Sequence, residues 1–168
     1  MNVTFHTMTA LATAAVLSSQ QDRQPFREKG TLPLAAGGFA AGILLHGLLD
    51  YLPHSYPIPS TFDVLLSLAL VCAALFLANR ECRFLIAACF LGSIFPDILD
   101  LGPPFANKLL GWSLPVAKLF PWHWPRYSGS IYDGSRRIES LLLHSAVILI
   151  SIGLIYANRW TMFSKYSL

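Results

Sequence analysis

Apolar side chains gather along this chain into long runs. Four of them, at about 34–53, 61–79, 84–101 and 140–158, approach the roughly 20 residues needed to cross a bilayer's hydrocarbon core. The first reads LAAGGFAAGILLHGLLDYLP. The second, TFDVLLSLALVCAALFLAN, carries no charge after Asp63. The third, FLIAACFLGSIFPDILDL, ends in two aspartates, and the fourth, SLLLHSAVILISIGLIYAN, has one histidine near its start. A weaker Thr- and Ala-rich helix at about 3–18 is barely long enough to span, so that it either crosses or inserts partway. The pattern predicts an all-α integral membrane protein: one domain over 1–168, a bundle of four to five transmembrane helices with one longer interfacial loop.

The connections are short or rich in proline. Residues 19–33 form a charged linker with Arg23, Arg27 and Lys29, 54–60 (HSYPIPS) a tight turn, and 80–83 (RECR) a short basic turn. The loop 102–139 is broken by Pro103, Pro104, Pro115, Pro121 and Pro125, and it holds Trp112, Trp122 and Trp124. Tryptophan near a span end marks the headgroup region. The loop is expected to lie along the membrane surface, with a short amphipathic helix at 105–120, and membrane lipids are the expected partners. If the helix at 3–18 crosses, Arg23, Arg27, Lys29, Arg80, Arg83, Arg159 and Lys165, seven of the twelve Lys and Arg residues, share one side. The excess of positive charge marks that side as cytoplasmic.

Composition agrees. The chain is 54% hydrophobic and 12% charged, against about 25% charged in soluble domains. A net charge of +3 with no basic cluster excludes a nucleic-acid footprint. Cys72, Cys82 and Cys89 have no CxxC spacing; Cys72 and Cys89 sit in apolar runs and read as small hydrophobes. No Lys or Arg precedes the first apolar stretch, so it is expected to be retained rather than cleaved as a secretory signal.

The candidate chemistry lies where polar residues interrupt the spans. Because successive helices alternate in direction, His6, His46, Asp50, His54, Asp97, Asp100 and His144 all fall at one face of the bilayer. Ionisable side chains at membrane depth cost about 2.5–3.5 kcal/mol each, and usually pair or bind an ion in the bundle interior. Gly38, Gly42, His46, Asp50 and His54 follow one another at i+4, one slowly drifting helical stripe. Ala88, Gly92, Pro96 and Asp100 form a matching stripe, so these two helices are expected to pack together and bring their polar ends into contact.

Imidazole with carboxylate suits zinc, and also iron or manganese. His46, Asp50, Asp97 and Asp100 are the principal candidate ligands, with His6 and His54 in support; Asp50 and Asp97 are the candidate catalytic carboxylates. His123, in PWHWPRY, reads as interfacial. Arg136 and Arg137 read as a juxtamembrane anchor able to meet lipid phosphate, and Asp63 and Asp133 as a helix N-cap region and a turn.

At HGLLDYLPH (46–54) and GSIFPDILD (92–100) the chain resembles the bacterial predicted membrane-bound metal-dependent hydrolases, small multi-span inner-membrane proteins. That group has an early histidine, matched by His6, a Pro-Asp-x-x-Asp-like segment, matched by Pro96, Asp97 and Asp100, and a His-x-x-x-Asp helix, matched by His46 and Asp50. Its further His-rich segment has its nearest equivalent in ESLLLHS, with Glu139 and His144, and the order of motifs differs. The resemblance implies a metal-dependent hydrolase of the bacterial cytoplasmic membrane, and the first functional expectation is hydrolysis of a phosphoester or lipid headgroup at the membrane surface with a divalent metal. The alternative is a non-catalytic scaffold or ion-binding protein. A translocator would need polar groups through the whole membrane depth, and the other halves of these spans are almost purely apolar. No His-Glu-x-x-His, Gly-x-Ser-x-Gly or Gly-rich phosphate loop is present.

Overall fold

Side-chain size decides which helix lies at the centre. A computed structural model describes residues 1–21 and 31–163. Among them are helices α1 (Val3–Gln21), α2 (Thr31–Tyr51), α3 (Ser60–Leu77), α4 (Arg80–Asp100), α5 (Gly102–Leu110), α6 (Arg137–Ala157) and α7 (Arg159–Phe163), with a 3-10 turn at Pro121–His123. Four of these, α2, α3, α4 and α6, are long and apolar enough to cross a membrane. The helix they surround is α1, which touches α2, α3, α4, α6 and α7. Its Ala10, Leu11, Ala12, Ala14 and Ala15 are all buried. A helix enclosed by other helices needs small residues for close approach more than it needs apolarity. That explains why its sequence looks like the weakest span.

The outer helices are built inside out relative to a water-soluble bundle. Helix α3 buries Asp63, Ser67, Val71 and Ala74, while Phe62, Leu65, Leu68 and Phe76 face outward, Phe76 with 81% of its surface exposed. Helix α6 buries Ser140, His144 and Ser151 and exposes Leu141, Leu142, Leu149 and Ile150. This arrangement is stable where the surroundings are hydrocarbon.

Helices α2 and α4 make the most extensive contact in the bundle, along the two stripes expected from sequence. A Cβ on Gly42 would stand 2.6 Å from the Cys89 carbonyl oxygen and 2.7 Å from Ser93 N. One on Gly92 would strike the Phe39 carbonyl. Only hydrogen fits at either position.

All the polar ends meet at one end of the bundle. Asp63, at the start of α3, caps α1 rather than its own helix: its carboxylate accepts from Val3 N and Thr4 N, each at 2.8 Å, and from Thr4 Oγ1 at 2.6 Å. In the turn between α2 and α3, Ser55 N and Oγ both bond to Ser140 Oγ near the start of α6, at 2.8 Å.

Three expectations about local structure are corrected. RECR is the first turn of α4, which begins at Arg80, so the α3–α4 connection is only Ala78 and Asn79. The interfacial helix runs over Gly102–Leu110, not 105–120; it stops at Gly111, whose left-handed φ of 67° closes the helix. Asp63 caps a neighbour, as described above. The linker residues Arg23, Arg27 and Lys29 lie outside the described residues.

Candidate metal centre

One helical turn separates His46 from Asp50, so both face α4. His46 Nδ1 is 2.6 Å from the Ser93 carbonyl oxygen. A carbonyl only accepts, so Nδ1 carries the proton and Nε2 is left facing the interior. Pro96 sits inside α4. Lacking an N–H, it leaves the carbonyl of Gly92, the residue before Ser93, without its helical partner.

The fourth group comes from the long loop. Asp100, at the end of α4 and 1% exposed, accepts from Leu119 N at 2.8 Å, from Phe120 N at 3.0 Å and from His123 Nδ1 at 2.7 Å. It therefore folds the loop back over the bundle and fixes the His123 ring with Nε2 pointing inward. Trp122 braces the turn against α2: a Cβ on Gly47 would lie 2.7 Å from its ring. The sequence reading of His123 as an interfacial residue is thus corrected. Burial opposes a charge on His123, but hydrogen bonds to Asp50, Asp97 and Asp100 outweigh it and raise the imidazole from 6.5 to about 10. The three carboxylates thus keep a proton on His123.

His46, Asp50, Asp97 and His123 form a group that could hold a metal ion, their donor atoms all within 4.8 Å of one another. Nε2 of His46 and Nε2 of His123 are 3.2 Å apart. Asp50 Oδ2 is 3.3 Å from the first and 3.4 Å from the second. Asp97 Oδ1 is 3.7 Å from the first and 3.3 Å from the second. Metal–ligand bonds of about 2.0–2.1 Å at tetrahedral angles place neighbouring donors about 3.3 Å apart. The donor set, and these five separations of 3.2–3.7 Å, fit an ion held by two nitrogens and two oxygens. The proton that the carboxylates hold on His123 lets its Nε2 donate to the His46 Nε2 lone pair, and a bound cation would take that proton's place between the two rings.

The other sequence candidates fall at graded distances from this centre. His6 stacks on His46, ring centroids 4.0 Å apart, with Nε2 3.2 Å from Asp50 Oδ1. Neither ring nitrogen has a hydrogen-bond partner in an acceptable geometry, although the residue is buried. The Met1 amino group bonds to the same Asp50 oxygen. Asp100 supports His123 from behind. His54 lies apart: its Nδ1 meets the Leu52 carbonyl at 2.7 Å, and its Nε2 meets Ser130 Oγ at 3.1 Å and Tyr56 Oη at 3.2 Å. Its work is to tie the end of α2 to the loop. His144 stacks on Phe5 on the far side of α1.

A cavity of about 290 Å³ opens over the group, lined by Asp50, Asp97, His123, Lys118, Tyr56 and Ser130 among others. Lys118 Nζ donates to the His123 carbonyl at 2.7 Å, which holds the ammonium at the cavity wall.

No protein-family profile, curated protein or solved structure matches this chain.

Proposed function

We propose that this chain is a membrane-bound, metal-dependent hydrolase acting on a phosphoester, such as a lipid headgroup, at one surface of the bilayer. The observation that carries the reading is the convergence of donor atoms from His46, Asp50, Asp97 and His123, the last three of which line a cavity. These four residues would hold the ion. The N₂O₂ donor set favours zinc, with iron and manganese next. When bound, such an ion supplies Lewis acidity and makes water acidic near neutral pH.

The chain's own groups supply the rest. Lys118 and the hydroxyls of Tyr56 and Ser130 line the cavity, where they bind and orient phosphoryl oxygens. Asp97 has the more exposed side chain of the two carboxylates, 24% against 9%, and the longest donor separation in the group. It accepts the proton of the attacking water. The water oxygen bonds to phosphorus as the ester oxygen departs, and the departing oxygen takes up that proton. The short motifs shared with the bacterial hydrolases add support and suggest the bacterial cytoplasmic membrane as the location.

One observation favours the scaffold reading. Four protein donors complete a tetrahedron, as structural zinc sites do, whereas catalytic sites keep a position open. Phosphate release from vesicles doped with phosphatidic acid or other phosphoester lipids separates the two. Turnover that requires metal and falls in Asp97→Asn supports the hydrolase. Stoichiometric metal without turnover on any phosphoester class supports the scaffold.

A further inference from the structure

On the other side of α1 from the metal group, a second cavity of about 560 Å³ lies between α1, α6 and the α2–α3 turn. Its lining is graded. Arg137, Ser55, His144 and Ser145 are polar; Phe5, Leu141, Ile148 and Leu149 are apolar. From Arg137 to Leu149 is twelve residues along α6, about 18 Å of helical rise. Along α6 the charge of Arg137 stands at the helix start, His144 and Ser145 lie about two turns further in beyond Leu141, and the innermost part, Ile148 and Leu149, is apolar. Leu141 and Leu149 are also exposed on the outer surface, so the cavity opens sideways.

Two polar groups in it are unspent. Arg136 is paired with Glu139, whereas Arg137 makes no ion pair among the described residues. His144 is buried, and its Nε2 has no hydrogen-bond partner. Its Nδ1 faces Ser140 Oγ at 3.5 Å. A cation at the rim, an unpartnered imidazole below it and an apolar channel of acyl-chain reach match one kind of molecule, with the negative charge and the hydrocarbon in that order.

We infer that this cavity is a lateral binding site for an anionic phospholipid, with the phosphate at Arg137, a headgroup or ester oxygen within reach of His144, and one acyl chain along Leu141, Ile148 and Leu149. The site is separate from the metal group and does not depend on it. Phe5 and Ser55 face this cavity, while their neighbours His6 and Tyr56 face the metal side.

The test is photocrosslinking in nanodiscs of the full-length chain. The probe is phosphatidylglycerol with a diazirine on one acyl chain, and phosphatidylcholine with the same label is the control. Labelled peptides are then mapped. Adducts from phosphatidylglycerol concentrated at Leu141–Leu149 are expected, exceeding those from phosphatidylcholine about tenfold, the difference one charge-assisted contact makes. Arg137→Gln is expected to abolish that preference while leaving the protein's elution and metal content unchanged. Ser145→Trp, which fills the cavity, is expected to suppress adducts from both lipids. The inference is overturned if adducts spread evenly over all lipid-facing helices, or if the two lipids label 141–149 equally. It is also overturned if Arg137→Gln keeps the full preference.

Discussion

His46 Nδ1 lies 2.6 Å from the Ser93 carbonyl oxygen on the neighbouring helix. This contact makes helix register and ligand orientation a single property. Sliding α2 against α4 by one residue would remove the acceptor, free the imidazole to rotate and leave a buried N–H unsatisfied. The proposed metal group therefore depends on Gly42 and Gly92 as directly as on its own donors.

The first prediction follows from that dependence. Gly92→Leu drives a side chain into the Phe39 carbonyl and should destabilise the folded protein by about 3 kcal/mol. It should lose bound metal in parallel. Thermal unfolding in detergent, followed together with metal content, checks this. A stable variant that keeps its metal would show that α2 and α4 are not in this register.

Asp100 accepts three hydrogen bonds and orients His123 without belonging to the four-donor group. Asp100→Asn should weaken metal binding by about 10–100-fold, the usual effect of removing a carboxylate behind a metal-bound histidine. Competition against a chelator of known affinity measures the change. An effect as complete as that of His123→Ala would make Asp100 a direct ligand instead.

Asp63 ties α1 to α3 through Val3 N, Thr4 N and Thr4 Oγ1. Asp63→Ala removes a cap and leaves buried donors unpaired, which should cost about 2 kcal/mol. Metal affinity should change little, because the affected atoms lie at the α1–α3 junction. A thermal melt beside a metal titration distinguishes this outcome from a role for Asp63 in binding.

His54 gives a pH signature. Burial pushes its imidazole down from 6.5 to about 4. The unfolded chain therefore takes up a proton at higher pH than the folded one. Stability from the neutral ring is fully present above 6.5 and is lost as the pH falls towards 4. The thermal midpoint should drop across that window, and His54→Gln should flatten the drop. Equal slopes in both proteins would contradict the assignment.

What the sequence disclosed depended on periodicity. The stripes through Gly42, His46 and Asp50 and through Gly92, Pro96 and Asp100 could be read because helical geometry fixes which residues share a face. Their meeting in space followed. The central position of α1 was hidden, since hydropathy reports contact with lipid and a helix shielded from lipid has no need of it. His123 was missed because a loop has no period to place it, and the tryptophans beside it suggested the headgroup region. A usable signal was present: Asp100, buried at a span end, needed a partner, and a histidine braced between prolines in the next loop could provide one. Asp63 offered the same clue, as an acid opening an otherwise uncharged span.

Whether the four donors hold an ion is decided by the metal content of protein purified in detergent without chelators. About one equivalent of divalent metal per chain is expected, as a four-donor site requires, with marked loss in His46→Ala and His123→Ala and none in His54→Ala. Substoichiometric metal in the wild type, unchanged by His46→Ala and His123→Ala, would contradict the proposed metal group.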